Sequence, residues 1–271
     1  MIKQNLHTHT TFCDGKNTID EMINSAIEKG YHSLGFSEHI QNTYQNCEMK
    51  DKLGYIKAVC DAKNKYADKI KIFLGGEFDY HSVIDTPKDY EYVIGSVHFD
   101  QLGDKQIRYD GTIERIMQTI SDIFSGDTRE WYKLYYKTLK DMPSRFDFDI
   151  VGHLDIIAKY NEKHKLYDET TKDYFNTVMD AVDSLVKSGK TLFEINCGGI
   201  MRGYKTLPYP NPIFLKEMAS LGCRFLVSSD AHSVSHLITE FDRVYKYLYS
   251  LGIKEVWYFD GKEFLPDKIK I

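Results

Sequence analysis

Residues 4–30 read QNLHTHTTFCDGKNTIDEMINSAIEKG, and their pattern predicts one β-strand followed by one α-helix. The strand is predicted in QNLHTH. Thr18 and Glu21 stand at capping-box spacing, which predicts the start of the helix, and Gly30 stands at the C′ position where helices commonly end. The stretch therefore predicts a βα unit with two histidines at the end of its strand.

The same alternation of strand and amphipathic helix continues along the 271-residue chain. Six further strands are predicted in SLGFSEH, IKIFLGGEFDY, YEYVIGSVHF, FDFDIVGHLD, TLFEINCGG and CRFLVSSDAH. A polar loop follows SLGFSEH, a long helical region from Thr112 to Lys140 is broken near SGDT, and a last helix in LITEFDRVYKYLYSLG precedes a terminal hairpin in KEVWYFDGKEFLP. No linker or repeat interrupts the pattern, so we expect an α/β fold with a closed parallel barrel in a single domain, residues 1–271.

The composition argues against several classes of partner. A net charge of −5 and a pI near 6.1 provide no broad cationic surface, so we expect no nucleic acid partner. The five cysteines are odd in number and scattered, which predicts reduced and mostly packed thiols. No apolar run is long enough for a signal peptide or a membrane span, so we expect a cytoplasmic protein with no membrane partner.

Histidines and carboxylates recur at the carboxyl ends of the predicted strands. They are His7, His9, Glu38, His39, Glu77, His98, His153, Asp155, Glu194, Asp230 and His232. In a parallel barrel all of these ends meet at one face, where the active sites of such folds lie. A single histidine at a strand end is usually an ordinary hydrogen-bonded side chain, but six of the ten histidines in equivalent places indicate a shared site.

This combination of side chains predicts bound metal. Residues i and i+2 of a strand point to the same face, so His7 and His9 can converge on one ion. Imidazole and carboxylate together suit Zn, Mn or Fe better than Mg or Ca. The candidate ligands, about nine, are too many for one tetrahedral site, so we expect two or three divalent transition metal ions.

The motifs HTHTTFCDG, SEH, GGEFDY, GSVHF, GHLD, EIN and SSDAH, in this order, resemble the polymerase and histidinol phosphatase superfamily. The resemblance is to its monofunctional histidinol-phosphatase branch and extends over about residues 5–235. It implies a distorted seven-stranded β/α barrel with a trinuclear metal centre at the strand carboxyl ends. It also implies hydrolysis of L-histidinol phosphate, a step of histidine biosynthesis.

The resemblance also implies which side chains bind each ion. The first ion would be held by His7, His9, Glu77 and Asp230, the second by Glu77, His98 and His153, and the third by His39 and His232. Family members often place a further histidine shortly after the first pair, where this chain has Cys13, Asp14 and Gly15. Asp14 is the expected substitute ligand of the third ion.

Catalysis is expected to involve Glu77, as the shared ligand, and Asp230. The proton donor to the leaving group would be either Asp230 or a metal-bound water. Phosphate oxygens need cationic donors, and Arg202 in NCGGIMRGYK and Lys159 in GHLDIIAKY follow strand ends closely enough to be predicted substrate-binding residues.

Other functions stay open at this point. A related phosphoesterase could act on nucleotides or phosphotyrosine. A metal-dependent amidohydrolase also begins with HxH, but those enzymes commonly use a carboxylated lysine on strand four, and YVIGSVHF has none. A non-catalytic module would have lost ligands, whereas this set is nearly complete. The expected partner is a small-molecule phosphate monoester, and the sequence does not indicate the native metal or the oligomeric state.

The remaining polar residues have more than one interpretation each. Asp155 could orient a ligand imidazole or cap a turn, and Glu38 and Glu194 could bind metal-bound water, bind a substrate amino group or cap helices. The four histidines away from the strand ends are predicted on the surface or behind the ligands. They are His32, His81, His164 and His236.

Overall fold

The computed structural model of the protein describes residues 1–40, 47, 49–82, 87–238 and 241–270. Most of the polar loop predicted after SLGFSEH lies outside the described residues. Residues 239–240, in the first part of the last predicted helix, lie outside them as well.

The described strands are β1 (Gln4–Asn5), β2 (Ser33–Ile40), β3 (Lys71–Asp79), β4 (Tyr92–Ser96), β5 (Phe99–Leu102), β6 (Lys105–Arg108), β7 (Ile150–Val151), β8 (Leu192–Asn196), β9 (Arg224–Ser228), β10 (Glu255–Phe259) and β11 (Phe264–Lys268). Seven of them form a parallel central sheet, in the order β1-β2-β3-β4-β7-β8-β9. Just past β1 and β9, Thr8 pairs with Ala231 in a parallel bridge. The first and last strands therefore meet, which confirms the predicted barrel, and the two-residue lengths of β1 and β7 account for its distortion.

Helices connect the strands on the outside of the sheet. They are α1 (Ile19–Glu28), α2 (Lys52–Lys65), α3 (Ile113–Phe124), α4 (Thr128–Arg145), α5 (Asn161–His164), α6 (Lys172–Lys187), α7 (Gly198–Met201), α8 (Leu215–Ser220) and α9 (Phe241–Ser250). The predicted capping box of α1 is confirmed, because the Thr18 side chain accepts from the Glu21 N–H and the Glu21 side chain accepts from the Thr18 N–H. The long region predicted from Thr112 to Lys140 is two helices, and Ser125, in left-handed backbone with φ 52°, ends the first.

The prediction of one continuous strand in YEYVIGSVHF is wrong. The barrel strand β4 ends at Ser96, and Phe99 begins the separate antiparallel hairpin of β5 and β6. Gly103 in the turn of this hairpin has φ +59°, a backbone conformation that glycine adopts without steric cost. The hairpin places Tyr109, Asp110 and Gly111 beside His98, whose carbonyl accepts from the Tyr109 N–H at 3.0 Å. The terminal hairpin, β10 with β11, is confirmed.

Buried side chains from the strands form a floor below the carboxyl ends of the barrel. It consists of Leu6, Phe73, Tyr92, Ile94, Ile150, Leu192 and Leu226, with Phe259 of β10 packed against them. The Tyr92 hydroxyl donates to the carbonyls of Leu6 and Phe36, so this phenol joins three strands. On the outside, the aromatic side chains of α4 are buried, namely Trp131, Tyr132, Tyr135 and Tyr136.

None of the helices in the described part of the chain combines the length and the apolar character needed to cross a bilayer. All five cysteines are free thiols, as predicted. Cys197 and Cys223 are buried, Cys13 and Cys47 are partly buried, and Cys60 is exposed.

Candidate metal centre

The six histidines predicted at strand ends lie together at the carboxyl face of the barrel. His39 and Glu77 are paired in register on β2 and β3. His7, His98 and His153 each come two residues after a strand ends. Pairs of imidazole rings approach closely, with centroids 4.2 Å apart for His9 and His232 and 4.4 Å apart for His9 and His39.

Glu77 is at the centre of this group. Its carboxylate lies 2.8 Å from a ring nitrogen of His39 and 3.1 Å from one of His153. Ring nitrogens of three further histidines lie within 3.6 Å of the same carboxylate, namely His7, His9 and His98. The Ser96 hydroxyl donates to Oε1 at 2.6 Å and fixes the orientation of the carboxylate. One buried anion therefore faces five imidazoles, the arrangement expected of a ligand shared between ions.

Asp230 and Asp14 extend the group on either side. Asp230 Oδ1 lies 3.2 Å from His9 Nε2 and 3.6 Å from His7 Nε2. Asp14 Oδ1 lies 3.3 Å from His232 Nε2 and 3.7 Å from His39 Nε2. Each carboxylate thus faces the pair of histidines that its predicted role requires.

The loop that carries Asp14 folds back tightly on the end of β1. The Gly15 N–H donates to the Thr10 carbonyl at 2.9 Å, and the Lys16 N–H donates to the His232 carbonyl at 2.8 Å. A Cβ on Gly15 would lie 2.5 Å from the backbone of His9, so only glycine fits there. This close approach holds Asp14 over the site.

Asp230 has left-handed backbone with φ 46°. Such a conformation costs about 1–3 kcal/mol for a residue with a side chain and persists where surrounding contacts hold it. Here the Arg202 guanidinium donates to the Asp230 carbonyl at 3.0 Å and to Oδ2 at 2.8 Å. The other two described non-glycine residues with positive φ, Ser125 and Lys165, are at helix ends, so Asp230 stands out as a strained residue in a functional place.

The buried charges shift one another's pKa strongly. Burial would raise the pKa of Glu77, but the surrounding imidazoles, His7 and His39 foremost, hold it well below its usual value. Burial would lower the pKa of His39, but Glu77 and Asp14 raise it to about 10. Burial would also raise the pKa of Asp230, yet Arg202 and His7 hold it well below its usual range. An ionised carboxylate favours Asp230 as a metal ligand over Asp230 as the proton donor to a leaving group.

Two side chains behind the histidines orient them. The His7 Nδ1 atom lies 2.7 Å from Glu194, which also accepts from the His153 N–H at 2.9 Å. The His98 Nδ1 atom lies 3.0 Å from Asp79 Oδ2. Such carboxylates fix the tautomer of a ligating imidazole. Glu194 was singled out in the sequence without this role, and Asp79 was missed although it stands two residues after Glu77 on the same face of β3.

The donor atoms fit metal ions better than they fit one another. His7 Nε2 and His9 Nε2 are buried and make no hydrogen bond of good geometry among the described residues. The Nε2 atoms of His98 and His153 face each other at 3.2 Å. Buried polar atoms without partners are costly, and divalent cations between them would remove that cost.

The described residues form several clusters able to bind metal ions. Four of them consist entirely of predicted ligands, namely His7–His9–Asp230, His7–Glu77–His153, His39–Glu77–His98 and His9–Asp14–His39–His232, each with its ligand atoms within 4.8 Å of one another. A fifth, His9–Cys13–Glu38, shares His9 with them. These clusters include all nine predicted ligands. The division of the ligands among three ions stays a prediction, and Zn, Mn or Fe would suit imidazole and carboxylate donors.

A cleft of about 540 Å³ opens above this centre. Arg202 and Lys159, the predicted phosphate-binding residues, both line it. The Lys159 ammonium pairs with Asp110 at 2.6 Å and lies 4.7 Å from the centre of the Tyr204 ring. Burial would raise the pKa of Asp110, but Lys159 lowers it to about 2. Asp110 was missed because the hairpin that brings it here was missed.

Several secondary interpretations need correction. The Asp155 carboxylate accepts from the Asn211 N–H at 2.8 Å, and the described residues show it neither orienting a ligand imidazole nor capping its turn. Glu38 caps none of the described helices and accepts from Thr10 and Cys13. His236, expected on the surface or behind the ligands, lines the cleft.

Comparison with known proteins agrees with this geometry. The sequence profile of the PHP domain matches residues 5–197. The chain belongs to the PHP domain family. The "Probable histidinol-phosphatase" of Schizosaccharomyces pombe is 24% identical over 270 residues, covering 91% of this chain and 86% of that protein. The "Probable histidinol-phosphatase" of Deinococcus radiodurans is 25% identical over 267 residues, covering 92% of this PHP chain and 94% of that protein.

The fold is also that of a solved PHP-type enzyme. Histidinol phosphate phosphatase from Lactococcus lactis, crystallised with zinc, L-histidinol and phosphate, superimposes with a TM-score of 0.69 at 21% sequence identity. The similarity covers 97% of this chain and 98% of that one. The zinc of that protein agrees with the expectation of divalent transition metal ions for a PHP site of imidazoles and carboxylates.

Proposed function

We propose that this PHP protein is a metal-dependent phosphomonoesterase that hydrolyses L-histidinol phosphate to L-histidinol and phosphate. The observation that carries the proposal is the convergence of five imidazoles on the buried Glu77 carboxylate beneath a cleft lined by Arg202 and Lys159. The printed names of the two relatives and the ligands of the Lactococcus structure support the choice of substrate. We further propose that the chain is one domain.

Divalent ions held by this centre would lower the pKa of water and neutralise negative charge on phosphoryl oxygens. The chain's own residues place the phosphate. Arg202 is fixed by Asp230, and its guanidinium lines the cleft at the edge of the centre, where a phosphoryl oxygen can accept from it. Lys159 lines the same cleft from the loop after β7. Both cations therefore act on phosphate oxygens that the ions leave free.

The Lys159–Asp110 pair suits a substrate that carries both charges. L-histidinol phosphate has an anionic phosphate and a cationic amino group, so its charges complement an ammonium and a carboxylate 2.6 Å apart. Asp14, Asp110 and Asp230 are the carboxylates that line the cleft among the described residues, and Asp110 alone of the three is not a predicted metal ligand. Asp110 is therefore the group proposed to accept the substrate ammonium, since a carboxylate can accept several hydrogen bonds.

The test compares kcat/KM of the metal-loaded enzyme for L-histidinol phosphate, the same compound without its amino group, a nucleoside monophosphate and phosphotyrosine. We expect L-histidinol phosphate to be the best substrate. Faster turnover of the nucleotide or phosphotyrosine would reject the substrate and leave only the phosphoesterase class. No turnover of any of these phosphates would reject the class as well.

The role of Asp110 is tested with Asp110→Asn, and Asp104→Asn in the turn of the same hairpin is the matched control. Loss of one charge-assisted hydrogen bond, about 1.5–3 kcal/mol, should lower kcat/KM for L-histidinol phosphate about 10- to 100-fold. The compound without the amino group should be affected much less. Equal losses for both compounds would show that Asp110 acts through Lys159 alone.

A further inference from the structure

Cys13 lies between a buried carboxylate and a histidine of the metal centre. Its Sγ atom is 2.7 Å from Glu38 Oε2 and 3.4 Å from His9 Nδ1. His9 and Glu38 are both 0% exposed. The Thr10 hydroxyl and N–H also donate to Glu38, at 2.6 and 3.1 Å. The imidazole, the thiol and the carboxylate are thus connected in series by hydrogen-bond contacts at the end of β1 and β2.

Two other histidines of the centre contact a carboxylate directly, without an intervening thiol. His7 places its Nδ1 atom directly on Glu194, and His98 places its Nδ1 atom directly on Asp79. In both rings the Nε2 atom faces Glu77. His9 also directs Nε2 toward the centre, with Asp230 Oδ1 at 3.2 Å, but its Nδ1 atom meets the Cys13 thiol instead of a carboxylate.

The donor and acceptor properties of a thiol allow Cys13 to connect the His9 ring with the Glu38 carboxylate. An imidazole that binds an ion through Nε2 carries its proton on Nδ1 and must donate it. A thiol can accept one hydrogen bond and donate another. The His9 Nδ1–H can therefore donate to Sγ while the Cys13 S–H donates to Glu38. Thr10 holds Glu38 in place to accept.

We propose that Cys13 is a positioning residue that links Glu38 to His9 and so fixes the tautomer and the orientation of this ligand. The link gives His9 the anionic support that His7 and His98 receive directly. It rests on the proposed metal centre and is independent of which phosphate is hydrolysed. The strength of ion binding at His9 then depends on a group at position 13 that both donates and accepts.

The experiment measures metal binding without substrate. Wild type, Cys13→Ser, Cys13→Ala and the control Cys60→Ala are stripped of metal and titrated with Zn²⁺ against a competing chelator. Removing the partner of a ligating histidine typically costs 10- to 100-fold in metal affinity, so we expect that loss for Cys13→Ala. Cys13→Ser keeps a donor and an acceptor and should stay within about 3-fold of wild type. Cys60 is exposed on α2, and its replacement should change nothing.

A double-mutant cycle separates the link from simple packing. If Glu38 acts on His9 through Cys13, Glu38→Gln combined with Cys13→Ala should bind Zn²⁺ about as weakly as the weaker single variant. Fully additive losses would overturn the proposal, and so would Cys13→Ser binding as weakly as Cys13→Ala, or Cys13→Ala binding as tightly as wild type. If Cys13→Ala does not fold, wild-type protein alkylated at Cys13 in the folded, metal-free state is tested in its place. The alkylated protein must then show the same loss of Zn²⁺ affinity. Failure to hydrolyse L-histidinol phosphate would leave these binding results unaffected.

Discussion

Replacing Glu77 with glutamine removes the central anion of the site while keeping its shape. Two of the clusters able to bind metal share this carboxylate. Two unit charges 4 Å apart interact by about 4 kcal/mol at an effective dielectric constant of 20. Since each 1.4 kcal/mol is a factor of ten, Glu77→Gln should weaken binding of each ion that contacts position 77 by at least about 1,000-fold.

The assay is elemental analysis of the purified variant after gel filtration, with Zn²⁺ affinity measured by chelator competition. We expect the metal content to fall by two ions per chain relative to wild type if both ions contact Glu77. Turnover of L-histidinol phosphate should fall by at least the same factor of about 1,000, because charge neutralisation at phosphorus depends on these ions.

Glu91→Gln is the matched control. Glu91 accepts from the Leu74 N–H at 2.6 Å, and it belongs to none of the metal-binding clusters of the described residues. Its replacement should leave metal content unchanged. A folded Glu77→Gln protein that binds as many ions as wild type, with similar affinity, would refute the assignment of Glu77 as a shared ligand.

Three further variants test the Asp14 carboxylate, the Arg202 guanidinium and the N-cap of α1 separately. Asp14→Ala should lower metal content by one ion per chain, toward two, in elemental analysis, because its carboxylate faces the imidazoles of a single cluster. Arg202→Lys should lower kcat/KM for L-histidinol phosphate about 10- to 100-fold, because lysine cannot donate from two nitrogens to Asp230. Thr18→Ala should lower the free energy of unfolding by about 1 kcal/mol in a urea titration, with metal content unchanged, because it removes the α1 cap.

Each of these variants has a clear contrary result. Unchanged metal content in Asp14→Ala would remove Asp14 from the site. Arg202→Lys with wild-type kcat/KM would show that a single cationic donor is enough. If Thr18→Ala lost metal as well as stability, the end of β1 would depend on α1 more than the contacts indicate.

The convergence of the candidate ligands was predictable because its signals are local. His7 and His9 share a strand face by their spacing alone, and strand ends converge in any parallel barrel. The groups that orient the ligands were not predictable in the same way. Glu194 on β8 reaches His7 past the end of β1 although these two strands are not neighbours in the sheet. Such a contact depends on how the barrel closes at Thr8 and Ala231.

The substrate side of the cleft was less predictable than the metal side. Lys159 was expected to face phosphate alone, yet it pairs with Asp110. Asp110 arrives on the hairpin of β5 and β6, and the turn LGDK carried a hairpin signal in its Gly103–Asp104 pair. A strand assumed to run on through Phe99 concealed that signal. One wrong strand boundary thus hid a residue that lines the cleft.

The central claim is that nine side chains from distant parts of the chain bind a shared group of metal ions. Anomalous X-ray diffraction from crystals of the protein grown with Zn²⁺ or Mn²⁺ tests it most directly. The account predicts two or three anomalous peaks around Glu77, between the imidazoles that now face one another. A map with no peak within coordination distance of Glu77, His98 or Asp230 would contradict it.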